Sequence, residues 1–171
     1  MRRRTILSLG LFGAAGLLAG CGGGTGVAGP GGSGGAAGSG VLEVARSAGH
    51  SSFLQMIARA GLADELAGSG PYTLFVPTNA AFQALPAARR GAILGDAAEA
   101  RRTAAYHVVP GMVTTSFMTG FEMNHMTSTG AALNVDGRGP GIRVAGAALT
   151  RPDLVARNGV VHVIDRVLSP A

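Results

Sequence analysis

A glycine-rich run limits how much of this 171-residue chain can form a folded core. Residues 22–40 read GGGTGVAGPGGSGGAAGSG and consist almost entirely of glycine, alanine and serine. Such a segment cannot bury enough apolar surface to offset the entropy lost on ordering, so it predicts a flexible tether. A tether of this length spans roughly 20–25 Å on average. Residues 41–171 have a globular composition, and their length of about 130 residues suits one domain with its own core.

The residues before the tether are typical of an export signal. Arg2, Arg3 and Arg4 precede an apolar stretch over residues 6–19 that glycine interrupts. The stretch is shorter than the roughly 20 apolar residues that a membrane-spanning helix needs, so we expect it to be removed. The arginines also resemble the twin-arginine export pattern, but a generic positively charged segment is the interpretation that we favour slightly.

The only cysteine of the chain, Cys21, follows directly after small residues. Residues 18–21 (LAGC) resemble the lipobox of bacterial lipoproteins, in which the cysteine thiol receives a diacylglyceryl group. We therefore predict a signal peptide over residues 1–20 and a lipidated Cys21 at the start of the tether. The mature protein is then expected outside the cytoplasm, anchored in the cell membrane or the outer membrane. The alternative is an ordinary export signal in which the cysteine lies at the end by chance.

The charge balance argues against a nucleic-acid partner. All 14 basic residues are arginine. Removal of the signal peptide leaves 11 arginines against nine acidic residues, so the mature chain is near +2. Such a surface has little electrostatic attraction for nucleic acid. The membrane, reached through the lipid, is the partner that the sequence predicts.

The first part of the globular region predicts helices and one strand. Ser52 and Gln55 form a capping-box pattern at the start of a helix that Gly61 is placed to end. A short helix is expected over residues 63–67. Residues 72–76 (YTLFV) predict a strand, because they are rich in β-branched and aromatic side chains.

The later part predicts two more helices and then strands. Thr78 is expected to cap a helix that carries Phe82, and Asp96 to open another that runs through Ala105. Short apolar segments separated by turn residues follow, and they predict strands over residues 131–135, 142–145, 148–150 and 160–168. Early helices and late strands indicate an α+β domain.

Three segments together resemble the fasciclin-like domain family. Residues 70–86 (GPYTLFVPTNAAFQALP) resemble its first signature block, residues 106–111 (YHVVPG) its central Tyr-His element, and residues 158–170 (NGVVHVIDRVLSP) its closing block. The resemblance covers residues 41–170. It implies a single fasciclin-like domain, with helices mainly in the N-terminal half packed on a wedge of short β-strands.

Most residues in the outer two blocks have a structural interpretation. Thr78 and Asn79 are interpreted as cap and turn residues beside Phe82. Asn158 and Gly159 are expected to form a turn before a strand that is buried on both faces. His162 lies on the same side of that strand as two apolar residues, so we interpret it as a hydrogen-bonded core histidine.

The central pair, Tyr106 and His107, carries most of the functional expectation. Related segments of animal fasciclin-like proteins are associated with integrin adhesion, so the resemblance makes this pair a candidate interaction site. The alternative, which we favour, is that Tyr106 packs in the core and His107 holds the following turn. Residues 117–129 (FMTGFEMNHMTST) depart from the family pattern, which leaves the geometry of that loop open.

No pattern in the sequence predicts an enzyme, a metal site or a cofactor. The four histidines and nine carboxylates show no metal-ligand spacing, and nucleophile and phosphate-loop motifs are absent from the sequence. The predicted function is cell adhesion or protein–protein interaction at the cell surface. The alternative is a cell-envelope protein that binds a polysaccharide or a small ligand, although the few aromatic residues argue mildly against sugar stacking.

Overall fold

The computed structural model describes residues 39–170. The predictions for residues 1–38, which include the signal peptide, the lipidation of Cys21 and nearly all of the tether, lie outside the described residues. The helices are α1 (Val41–Ser47), α2 (Ser51–Ala60), α3 (Ala63–Ala67), α4 (Asn79–Gln83), α5 (Ala87–Gly95), α6 (Ala97–Tyr106) and α7 (Thr115–Met118). The strands are β1 (Tyr72–Pro77), β2 (Val108–Pro110), β3 (Glu122–Met126), β4 (Ala132–Asp136), β5 (Arg143–Val144), β6 (Ala147–Ala156) and β7 (Gly159–Ile164).

The seven strands form one mixed sheet in the order β2-β1-β7-β6-β5-β4-β3. β1 and β7 run parallel to each other, and every other neighbouring pair is antiparallel. The sheet curls so that its two edges approach each other. Where they meet, the backbone N–H of Ser128, just after β3, donates to the carbonyl of Val108 in β2 at 2.9 Å. The architecture confirms the predicted α+β class.

Two apolar cores lie on the two faces of the central strands. Alternation along β1 sends Leu74 and Val76 towards the helices and Phe75 into the curl of the sheet. The helical core also takes Val161 of β7, whereas Ile164 belongs to the other core. The predicted burial of the closing strand on both faces is confirmed, since all six residues of β7 are buried.

Local chain signals correctly predicted several helix ends. Gly61 ends α2 in the left-handed conformation with φ of 66°. The side chain of Thr78 accepts a hydrogen bond from the backbone N–H of Ala81, and Asp96 caps α6. The short helix over residues 63–67 is α3 itself.

The predicted capping box at Ser52 and Gln55 is wrong. The N-cap of helix α2 is His50, two residues before Ser52, and no side chain caps the helix from within. The backbone N–H of Ser52 donates instead to Oδ1 of Asn79, 3.1 Å away in α4. A side chain distant in sequence therefore replaces the local cap.

The strand predictions were accurate in place but not in length. β6 extends over ten residues instead of the predicted three, and it contains two register shifts. β7 ends at Ile164 instead of 168, and the chain bends at residues 165–166, where the carboxylate of Asp165 accepts a hydrogen bond from the backbone N–H of Ala148 at 2.7 Å. Strands β2 and β3 and helices α1, α5 and α7 were not predicted.

Gly159→Ala tests the close approach of the closing block to β1. A Cβ at position 159 would lie 1.9 Å from the carbonyl oxygen of Tyr72, a backbone atom that cannot move aside. We expect a loss of about 2–3 kcal/mol in the free energy of unfolding, measured by urea denaturation. The control is Gly91→Ala in α5, where a Cβ meets nothing within 4 Å and the helix should gain up to about 1 kcal/mol. Equal stabilities for the two variants would contradict this account.

Candidate interaction site

His107 connects the three sequence blocks inside the domain. Nδ1 of its ring lies 2.7 Å from the carbonyl oxygen of Thr103. Nε2 accepts a hydrogen bond from the backbone N–H of Leu168 at 3.0 Å. Its own carbonyl accepts from the N–H of Phe75 at 2.9 Å. The acceptor role of Nε2 places the ring proton on Nδ1. Burial lowers the pKa of His107 to about 4, against the opposing effect of the bond to Thr103, so the ring is neutral at pH 7.

His162 is held at both ring nitrogens as well. Nδ1 accepts from the backbone N–H of Asp153 at 3.1 Å, and Nε2 donates to the carbonyl of Val113 at 2.7 Å. The ring stacks on Phe75 with 5.5 Å between centroids. Burial lowers the pKa of His162, although the bond to Val113 and the carboxylate of Asp153 both act in the opposite direction. The two ring nitrogens of His162 therefore link β6, through Asp153, to the segment before α7, through Val113.

Tyr106 lies next to His107 but reaches a different part of the sheet. Its hydroxyl donates to the carbonyl of Ala132 in β4 at 3.2 Å, and 6% of the residue is exposed. His107 is fully buried. The structure thus places both side chains beneath the surface, where they position other elements. Their role in partner binding stays a prediction.

Asp153 is a site residue that the sequence analysis missed. It lies at a register shift of β6 with φ of 53°, in a left-handed region where aspartate is several-fold enriched among non-glycine residues. Its carboxylate accepts from the backbone N–H of Thr115 at 3.0 Å and also from the Thr115 hydroxyl. Asp153 therefore fastens the first residue of α7 to the sheet. The turn-forming dipeptide Pro152-Asp153 was the signal in the sequence that could have revealed it.

Asn158 uses its side chain to brace the N-terminal helices. Oδ1 accepts from the backbone N–H of Val41 at 2.9 Å, and Nδ2 donates to the carbonyls of Leu66 and Gly68, each at 2.8 Å. The two-residue turn between β6 and β7 consists of Arg157 and Asn158. Gly159 is already the first residue of β7.

Asn79 and Phe82 hold the first block against α2. Besides accepting from Ser52, Asn79 donates through Nδ2 to the carbonyl of Gly49 at 2.9 Å, and so bridges the start of α2. Phe82 is buried in the helical core. Together with the cap at Thr78, these contacts explain why the first block carries these residue types.

Large apolar side chains are exposed mainly in one segment. Met112 is 49% exposed, Phe117 67%, Phe121 62% and Met126 60%. We call these four residues the 112–126 surface. Val155 is the fifth large apolar side chain exposed among residues 39–170. The segment includes α7 and β3, and it overlaps residues 117–129, whose sequence departs from the family pattern.

A small ionic cluster borders the 112–126 surface. Arg138 contacts the carboxylate of Glu122 at 2.5 Å and that of Asp136 at 3.1 Å. The hydrogen bond from Arg138 lowers the pKa of Asp136. One guanidinium therefore contacts both carboxylates of the cluster beside the apolar residues.

The remaining histidines do not combine into a site. His50 lies at the N-cap of α2 and His125 on β3, and burial lowers the pKa of both. Within residues 39–170, no group of three or more histidine, cysteine or carboxylate side chains is placed to hold a metal ion. None of the helices in the same range has the length and hydropathy needed to span a bilayer.

Comparison with known proteins gives the family of this arrangement. The Fasciclin domain model matches residues 48–170, which include the three blocks and the 112–126 surface. The chain belongs to the fasciclin domain family. Its fasciclin domain also contains the segment over residues 117–129, which includes the end of α7, β3 and the turn after it.

Similar proteins come from bacteria and animals. Protein sll1483 of Synechocystis is 35% identical over 136 residues, covering 76% of this chain and 73% of that protein. Cell surface glycolipoprotein MPT83 of Mycobacterium tuberculosis is 39% identical over 109 residues, covering 64% and 48%. Transforming growth factor-beta-induced protein ig-h3 of Sus scrofa is 35% identical over 131 residues, covering 76% and 19%. The chain thus spans less than half of the mycobacterial protein and about a fifth of the porcine one.

One solved structure is similar to part of this chain. It is the FAS1 domain pair of the insect cell adhesion molecule fasciclin I, with a TM-score of 0.45 and 19% identity. The likeness covers 74% of this chain and 43% of that one.

The buried His107 predicts a loss of stability in mild acid. Its pKa is 6.5 in the unfolded chain and about 4 in the folded domain, so below pH 6.5 the unfolded state binds the proton more readily. The free energy of unfolding should therefore fall by roughly 3 kcal/mol as the pH is lowered from about 6.5 to about 4. Urea denaturation across that range measures the fall.

His107→Gln and His125→Gln separate this effect from those of the other histidines. The first variant should lose the part of the fall that comes from His107 and keep a smaller part from His50 and His162, whose pKa values burial also lowers. The second variant should keep most of the fall, because His125 is only partly buried. If His107→Gln does not fold, the wild-type ring can be titrated by NMR. A His107 ring that protonates near pH 6.5 in the folded domain would contradict the prediction.

Proposed function

We propose that this protein is a lipid-anchored, extracytoplasmic fasciclin domain that binds a protein partner at the cell surface through the 112–126 surface. The observation that carries the proposal is the concentration of exposed apolar side chains in that segment. Two phenylalanines there expose more than three fifths of their surface to water. Exposed apolar side chains grouped in one region are typical of interaction sites, whereas single ones are ordinary.

The way in which the 112–126 surface is held also supports binding. Thr115 is fastened by Asp153, and Val113 by the ring of His162. Met118, between the two exposed phenylalanines, is fully buried in the core of the curled sheet. The apolar side chains are therefore presented on a fixed backbone, so a partner would lose little conformational entropy in ordering them.

The location of the protein is proposed from its N-terminal sequence. The lipobox pattern at Cys21 and the glycine-rich tether would display the fasciclin domain some 20–25 Å from the lipid on average. Relatives that are named as cell surface glycolipoproteins agree with such a location. Binding of the polysaccharide or small-ligand type remains the alternative outcome of the experiments below.

Cys21→Ser tests the anchor. The serine hydroxyl cannot replace the thiol in lipidation, so the variant should move from the membrane fraction to the soluble envelope fraction. It should also lose incorporation of labelled palmitate, whereas the wild-type chain keeps both properties. Retention in the membrane with unchanged electrophoretic mobility would refute the lipid anchor.

A double variant, Phe117→Ser with Phe121→Ser, tests the surface. Both side chains are exposed, so we expect a change in stability within about 0.5 kcal/mol and a loss of partner binding by at least about tenfold. Photocrosslinking groups placed at Met112 and, as the matched control, at Val155 report the partner in envelope extract. A protein crosslinked from position 112, and lost in the double variant, is the expected result.

Two outcomes would overturn the proposed site. Equal crosslinking from positions 112 and 155 would show that the segment has no special role. Retention of a single glycan class on an array, with no protein crosslink, would favour the ligand-binding alternative.

A further inference from the structure

The 112–126 surface begins and ends with a methionine. Met112 is 49% exposed and Met126 60%, so both side chains meet water. Met126 lies on the outward face of β3, since exposed and partly buried residues alternate along this strand. Each of the two side chains is therefore accessible to a small molecule in the surrounding water.

The fold protects the other methionines of the described chain. Met56 in α2 and Met118 in α7 are fully buried, and each belongs to one of the two apolar cores. Met123 is partly buried, because it packs against the core of the curled sheet. Met118 lies between the exposed Phe117 and Phe121, so exposure changes from residue to residue within one segment. The structure thus separates two accessible thioethers from three protected ones.

Oxidation of a methionine changes the contacts that its side chain can make. The thioether sulfur takes one oxygen atom from a hydroperoxide: an S–O bond forms, and the O–O bond breaks. The proton on the transferred oxygen moves to the departing oxygen, which leaves as water when the oxidant is hydrogen peroxide. Sulfur loses two electrons, and the peroxide gains them. The product is a polar, chiral sulfoxide, whereas the thioether is apolar and adaptable.

We propose that Met112 and Met126 are reversible oxidation sites, at which a hydroperoxide converts both thioethers to sulfoxides and releases the partner from the 112–126 surface. This inference rests on the proposed function. Two of the four side chains of the surface would change from apolar to polar. In a dry interface each sulfoxide oxygen needs a hydrogen-bond donor, and a partner that fits a thioether does not offer one.

The proposed location also favours oxidation of these two residues. Outside the cytoplasm, the chain would lie beyond the thiol systems that keep cytoplasmic proteins reduced. Lipidation of Cys21 would occupy the only thiol of the sequence and leave methionine as its remaining oxidisable sulfur. Because both cores keep their own methionines reduced, the domain should stay folded, and methionine sulfoxide reductases can reverse the change.

Peptide mapping by mass spectrometry measures which sulfur atoms react. The full chain with Cys21→Ser is treated in its folded state with hydrogen peroxide, and the gain of oxygen at each methionine is followed. We expect Met112 and Met126 to react at least about tenfold faster than Met56 and Met118. The chain unfolded in urea is the control, in which all four should react at similar rates. Equal rates in the folded chain would overturn the proposal.

Hydrophobic interaction chromatography measures the polarity of the surface without a partner. After peroxide treatment, the Cys21→Ser chain should elute earlier than before. The same chain with Met112→Leu and Met126→Leu should elute unchanged, because leucine cannot be oxidised by peroxide. Met123→Leu is the matched control and should shift as the parent chain does. A shift that persists in the double leucine variant would contradict the assignment to these two residues.

Binding is then measured to the protein that crosslinks from position 112. Each variant is compared with itself before and after peroxide, so differences in starting affinity cancel. The parent chain and Met123→Leu should lose at least about tenfold in affinity and recover it after treatment with reductases for both sulfoxide epimers. The variant with Met112→Leu and Met126→Leu should lose less than about twofold.

The measurements distinguish failure of this inference from failure of the proposed function. Selective oxidation with unchanged affinity for the partner would overturn the regulation and leave the binding site in place. A reduced chain that binds no partner would overturn the proposed function, and the regulation with it.

Discussion

The domain depends on one buried histidine whose ring and backbone together contact three separate parts of the chain. His107 meets the carbonyl of Thr103, the N–H of Leu168 and, through its own carbonyl, the N–H of Phe75. Each partner lies in a different element, so the central block fixes where β1 and the C-terminal segment lie relative to α6. A buried polar group that loses its partners costs the full desolvation penalty, which makes this arrangement strongly preferred over shifted ones.

The second buried imidazole extends the same principle to the candidate site. His162 fixes Val113 and Asp153, and Asp153 in turn fixes Thr115. The polar groups in the core therefore set the backbone from which Phe117 and Phe121 project. The buried polar residues thus hold this part of the backbone rigid, and the exposed apolar side chains that it carries supply the contact area.

Sequence patterns predicted those features that depend on neighbouring residues. Gly61, Thr78 and Asp96 act within one helical turn of their positions, so their roles were visible locally. The false capping box at Ser52 has the opposite cause, because Asn79 satisfies that N–H from 27 residues away. Strand β3 escaped prediction because only alternate residues face the core, and methionine, asparagine and glutamate give little strand signal.

The candidate site was even less visible in the sequence than the fold. Tyr106 and His107 were candidates because they resemble a family element. That both side chains are buried depends on how the whole domain packs, which their own sequence does not reveal. Asp153 acts through Thr115, which is 38 positions away in the chain, and no local pattern links the two. The exposure of Phe117 and Phe121 likewise depends on how α7 and the residues after it pack against the sheet.

The point where the described chain enters the domain has a mechanical consequence. Ser39 accepts a hydrogen bond from the N–H of Arg157, and Val41 donates to Asn158, so the incoming chain is stitched to the turn between β6 and β7. Tension applied through the N-terminal segment would first load these bonds and then strands β6 and β7, which lie in the interior of the sheet. The edge strands β2 and β3 lie elsewhere, so the load would reach the interior of the sheet before either edge.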